Sequence, residues 1–306
     1  MSNERFAGAL YVAVSAASFG AMAIFARYAR DSGADVVAVL CLRFVIAALV
    51  MTAVMLASGT RWPSRRNAAI LAGMGGIGYV GQSFSFFSAL DHASAGLVAL
   101  LLYLYPFLVT VLGALFLRQK LTASRIAAVL AALAGTALTI GGGIGGSPTG
   151  IALGVAAALI YSVYILVGSR VMAREEPLAA ATVVMIAAAA VFSVLAATTE
   201  PGLPRGAIGW TAVVAIALVS TVVAMVCFFV GMQKLGAADA ATLSTLEPVV
   251  TFILAAIFLG EAILPNQIVG GAIILGAVIW LTRAGSADAR RPVTESRRAT
   301  SPTRTG

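Results

Sequence analysis

Ten apolar runs follow one another along this chain, each close to the length of a bilayer's hydrocarbon core. They cover residues 8–28, 36–57, 68–89, 95–117, 126–142, 150–171, 178–198, 208–232, 238–259 and 266–282. A spanning helix needs about 20 mostly apolar residues. The fifth and tenth runs are shorter and are expected to extend past these limits. Backbone polar groups in lipid must be satisfied within the segment, so long apolar runs of this kind can only be membrane helices. Composition agrees: 60% of the residues are hydrophobic and 10% charged, with a mean hydropathy of +1.00, against about a quarter charged in soluble domains. The first run is too long for a signal-peptide core, and Arg5 before it is offset by Glu4, so it is expected to be a retained helix.

The two cysteines, Cys41 and Cys227, both fall inside apolar runs. There is no disulfide framework and no metal-binding spacing, and no cofactor is expected. A net charge of +8 raises the question of nucleic acid, but its placement answers it: Arg283, Arg290, Arg291, Arg297, Arg298 and Arg304 lie at or beyond the end of the last run. The tail, 284–306, lacks apolar periodicity and is expected to be disordered and cytoplasmic, meeting anionic lipid rather than nucleic acid. Of the 20 lysines and arginines, Arg27, Arg30 and Arg205 fall on one side of the membrane, Arg43 lies inside a span, and all others fall on the opposite side. The positive-inside rule then puts both termini in the cytoplasm.

Shifted by 142 residues, the sequence aligns with itself without gaps. "LLYLYPFLVTVLGALFLRQKL" (101–121) lies over "LSTLEPVVTFILAAIFLGEAI" (243–263). Pro106 falls on Pro248, Leu112 on Leu254, Phe116 on Phe258, Gly8 on Gly150 and Phe19 on Tyr161. Each half holds five spans, and an odd number inverts the second half relative to the first. Inverted repeats are a transporter architecture, with substrate bound near the midplane where the repeats meet.

The stretches "FSALDHASAGLVALLLYLYPFLVTVLGALFLRQKL" and "VGMQKLGAADAATLSTLEPVVTFILAAIFLGEAI" share a pattern. A small-residue segment leads to a proline and then to an apolar helix ending near Gln119 or Glu261. In this the chain resembles the EamA repeats of the drug/metabolite transporter superfamily, and within it the bacterial aromatic amino-acid exporters. The resemblance covers residues 6 to 283. It implies an all-α integral membrane protein with ten transmembrane helices, arranged as two inverted five-helix repeats (6–142 and 150–283). It also implies an inner-membrane location and export of small metabolites, often amino acids.

Several residues are candidates for transport. Pro106 and Pro248 sit mid-span, each depriving the carbonyl four residues back (Leu102, Ser244) of its helical partner; they are read as hinges, with a fixed packing kink as the alternative. Glu247 lies near the midplane, where a carboxylate is a functional candidate by default. It can carry a proton, hold a substrate amino group, or serve as a hydrogen-bonded staple. Arg43 is expected to snorkel outward, with pairing to Glu247 as the alternative. On the third helix Tyr79 and Gln82 share a face with Gly75 and Phe86 at helical spacing. They are read as cavity-lining, completed by Tyr103, Tyr161 and Tyr164, with Phe19, Met22 and Phe228 as apolar lining or packing. His92, the single histidine, is expected to be a surface residue.

A sparse, tyrosine-rich polar interior suits a small zwitterion with an apolar or aromatic side chain, and lacks the buried cations a phosphorylated sugar needs. No nucleophile–base pair or metal set points to an intramembrane enzyme. The expected function is therefore export of aromatic or other neutral amino acids by alternating access, as a monomer, in the bilayer. The alternative is proton-coupled export of other metabolites or cationic drugs.

Overall fold

The computed structural model describes residues 3–117, 122–141, 146–172, 175–235, 240 and 243–289. Residues 290–306 of the expected tail, and Gln119, lie outside the described residues.

Helices α1 (Asn3–Gly20) and α2 (Met22–Asp31) form the first span and α3 (Val36–Ala57) the second. The third is α4 (Arg65–Gly73), a π turn (Met74–Tyr79) and α5 (Val80–Ala89). The fourth is α6 (Ala95–Leu102) and α7 (Tyr105–Leu117); α8 (Ala123–Gly141) closes the first half. In the second half α9 (Pro148–Met172) and α10 (Pro177–Thr199) are single spans. The eighth is α11 (Gly206–Ala217), a second π turn (Leu218–Val223) and α12 (Ala224–Leu235). The last two spans are built on α13 (Leu246–Leu259) and α14 (Pro265–Ala289). This is an all-α membrane protein of ten spans in two five-helix halves. Six stretches among the described residues are long and apolar enough to cross a bilayer, and shorter apolar helices cover 126–138, 246–259 and 265–280.

The pairing of helices repeats between halves. α3 packs on α10 and α8 on α14, each a helix against its equivalent. α1 packs along α12 as α9 packs along α5, and α1 meets α13 as α9 meets α7. Phe44, Phe87, Phe192, Leu40 and Met51 fill the largest cluster. Leu49, Ile77, Leu115, Phe116 and Ile257 stay exposed, forming the apolar surface that a bilayer requires. Because lipid is as apolar as leucine, close packing and small residues hold such helices together. Gly75 illustrates this: a Cβ there would lie 2.5 Å from the Val184 carbonyl oxygen.

Among the described residues, turns interrupt the first, fourth and ninth spans. Read from sequence as hinges or fixed kinks, the proline sites stand just after local turns that interrupt the helical hydrogen bonding. The fourth span turns at Tyr103–Leu104 and the ninth at Thr245, equivalent positions under the 142-residue shift. Each proline then falls in the first turn of the following half-helix, a position that tolerates a residue without an N–H, while the carbonyl four residues back needs another donor. The first span breaks at Ala21 without a proline. There Gly20 lets α13 approach, since a Cβ at Gly20 would lie 2.7 Å from the Glu247 carbonyl oxygen. The Thr251 hydroxyl donates to the Gly20 carbonyl at 2.9 Å. The equivalent of Gly20 is Ser162, whose hydroxyl donates to the Ala158 carbonyl at 2.6 Å, with the Tyr105 carbonyl 3.2 Å away as an alternative acceptor, and α9 runs unbroken.

The face of the bundle away from the N-terminus is tied across the halves. Glu261 accepts from the Ala95 and Gly96 N–H groups at 2.9 and 3.4 Å, capping α6. Tyr28 donates to the Phe258 carbonyl at 3.1 Å, and Asp35 accepts from the Gly202 N–H at 2.9 Å. The Ser147 N–H donates to the His92 carbonyl at 2.8 Å, and His92 itself is exposed on the surface. Within the first half Arg30 meets Asp91 with both oxygens, at 2.9 and 2.7 Å.

Candidate functional site

Five tyrosines from the third, fourth and sixth spans form a continuous rail. Tyr79 and Tyr164 have ring centroids 5.8 Å apart, Tyr164 and Tyr161 6.0 Å, Tyr161 and Tyr105 4.9 Å, and Tyr105 and Tyr103 6.0 Å. These spacings fall in the range of favourable aromatic contacts. Tyr103 is almost fully buried, while Tyr79, Tyr105, Tyr161 and Tyr164 are half-buried. Phenols in a membrane interior are tolerated where they face protein or a watery cavity.

The rail ends at the broken ninth span. The Tyr103 hydroxyl donates to the Ser244 carbonyl at 2.5 Å, the carbonyl that Pro248 leaves without a helical partner. Its oxygen also lies 3.1 Å from Glu247 Oε2. A phenol has one proton and two acceptor lone pairs. With the carboxyl protonated, Glu247 donates to Tyr103 while Tyr103 donates to Ser244, and both contacts are complete. With the carboxylate ionised, two acceptors compete for one proton. The protonation of Glu247 is thereby linked to the bond that closes the helix break.

The other end of the rail is Arg43. It does not snorkel: the residue is only 2% exposed. Its Nε donates to Thr221 Oγ1 at 3.0 Å and its Nη2 to the Tyr79 hydroxyl at 3.4 Å. The guanidinium also lies over the Phe44 and Phe87 rings, 4.8 and 5.5 Å from their centroids, within cation–π reach. Two aromatic faces and two hydroxyls hold it inward, where outward snorkelling was expected from its depth in the span. No ion pair joins it to Glu247.

Tyr79, Tyr103, Tyr161 and Tyr164 are thus brought together, joined by Tyr105, which lies 142 positions before Glu247 and is its equivalent in the first repeat. Gln82 is buried, with its side-chain oxygen accepting from Ser83 at 3.3 Å. Phe19 and Met22 pack with the main apolar cluster, and Phe228 lies edge-on to Phe229, 6.1 Å between centroids. None of these four has a described ring contact or hydrogen bond to the rail. Among the described residues, no three His, Cys, Asp or Glu side chains gather as a metal site.

The EamA-like transporter family model matches this chain twice, over residues 6–141 and 148–283. The chain belongs to the EamA-like transporter family. A relative from Streptantibioticus cattleyicolor, named a probable terminal-alkyne amino-acid exporter, is 26% identical over 258 residues, covering 84% of this chain and 87% of that one. The aromatic amino acid exporter YddG of Ancylobacter novellus is 31% identical over 188 residues, 60% of this chain and 64% of its own. A solved structure at 24% identity has a TM-score of 0.68, covering 90% of this chain and 98% of its own; at that identity it speaks to the fold. In this EamA-like transporter the rail runs from the first π turn to the two proline-marked breaks.

Proposed function

We propose that the protein is a carrier that exports amino acids with aromatic or other neutral side chains, working by alternating access between its two halves. The observation that carries this reading is the tyrosine rail, which reaches the junction of two broken spans and ends at a carboxyl group. Stacked phenols offer an aromatic side chain both ring contacts and hydroxyls, and Glu247 offers an ammonium group a counter-charge. Named amino-acid exporters among the relatives support the substrate class. Pro106 and Pro248 act as the hinges, and the path lies within one chain, so a monomer suffices. The asymmetry of Lys and Arg supports a bacterial inner-membrane protein with both termini in the cytoplasm.

Flux of labelled amino acids into proteoliposomes holding the purified protein tests this. Saturable flux of aromatic or neutral amino acids is expected; its absence for every amino acid, with and without a pH gradient, overturns the reading. Glu247 favours a second reading, proton-coupled export of other small metabolites or cationic drugs. Saturable flux of an amine without a carboxylate, driven by a pH gradient, would favour that one.

A further inference from the structure

Arg43 is a buried cation without a counter-anion. Among the described residues no carboxylate lies within 4.0 Å of it, and its two hydrogen bonds go to neutral hydroxyls. A guanidinium carries five N–H donors in a planar fork. Buried charges are ordinarily paired, because desolvation is repaid only by a close opposite charge and complete hydrogen bonding. The hydroxyl of Thr221 is already committed, donating to the Ile216 carbonyl at 2.9 Å, so it can only accept from Arg43. A second group nearby in sequence is also unsatisfied. Ser220, in the same π turn as Thr221, is fully buried, and its hydroxyl has no partner among the described residues.

The placement of these groups gives the orphan charge a meaning. Tyr79 and Thr221 are equivalent residues of the two repeats, 142 positions apart, and each closes or lies within a π turn. π turns often mark functional sites. Arg43 therefore bridges the two halves at the head of the tyrosine rail.

We propose that Arg43 is the receptor for the carboxylate of the substrate. This rests on the amino-acid reading above and extends it to the acidic end of the zwitterion. The carboxylate supplies the missing anion, accepting from the free edge of the guanidinium while Nε stays anchored on Thr221. Planar, bidentate recognition of a carboxylate is what arginine does and lysine does not. The rail then offers its phenols to the side chain, and substrates lacking a carboxylate leave Arg43 unpaired and are rejected.

The test compares competition by phenylalanine and by phenylalanine amide against labelled phenylalanine flux in proteoliposomes. In the wild-type protein phenylalanine is expected to compete about 10- to 100-fold better than the amide, the range for charge-assisted hydrogen bonds. In Arg43→Gln that ratio should fall to about one, through loss of phenylalanine binding with amide binding unchanged. Arg43→Lys keeps the charge and loses the fork; its ratio should fall part of the way, and it serves if the glutamine variant does not fold. A wild-type ratio near one, or an unchanged ratio in the variants, overturns the inference and leaves amino-acid transport standing. No phenylalanine flux in the wild type overturns the inference, and no flux of any amino acid overturns the proposed function with it.

Discussion

The hydroxyl of Tyr103 closes the backbone gap at Ser244, donating to its carbonyl at 2.5 Å across the boundary between the repeats. Tyr103 itself stands at the break of the fourth span, so one side chain joins both breaks. Tyr103→Phe keeps the ring and removes the donor. It is expected to lower stability by about 1–3 kcal/mol, the cost of leaving a buried carbonyl unpaired. Thermal unfolding in detergent measures it. An unchanged midpoint would mean that the carbonyl finds another partner.

Glu247 shares that phenol. If its carboxyl carries the coupling proton, Glu247→Gln keeps the shape, cannot ionise, and should make flux insensitive to an imposed pH gradient. Transport down a concentration gradient should persist. The measurement is proteoliposome flux at matched and mismatched pH. A pH response equal to wild type assigns Glu247 to structure alone.

Gly75 tests the close approach of the third and seventh spans. Gly75→Ala drives a Cβ to within 2.5 Å of the Val184 carbonyl oxygen, and overpacking of this kind costs about 1–3 kcal/mol. Gly73→Ala is the control on the same span, because a Cβ there meets nothing within 4 Å. Equal melting temperatures for the two variants would contradict the packing described.

Glu261 caps α6 from the opposite repeat. Glu261→Ala is expected to cost about 1 kcal/mol, a typical loss for a helix cap. It should also speed hydrogen exchange at Ala95 and Gly96 relative to the middle of α6. Unaltered exchange at those two amides would show that other groups satisfy them.

The ten spans and the repeat were legible because membrane length and a proline twin are written in one dimension. The tyrosines were legible as polar groups that lipid cannot accommodate. Arg43 was misplaced because depth along a helix says nothing about direction; its holders, Thr221 and Tyr79, are 178 and 36 residues away. The break at Ala21 was missed for a similar reason. No proline marks it, and what accompanies it is the approach of α13 to Gly20 in three dimensions. The π turns leave no pattern in composition, since one extra residue in a helical turn barely disturbs apolar spacing.

The contacts that join the repeats at the face away from the N-terminus bear on timing. Under the proposed alternating access, opening that face would strip the Glu261 carboxylate from two amides and part Asp35 from Gly202. Only water arriving from that side can take over those bonds. If those carboxylate bonds between the halves part in the proposed cycle, its rate should answer to the solution bathing that face more than to the other, so a single side would set the carrier's clock.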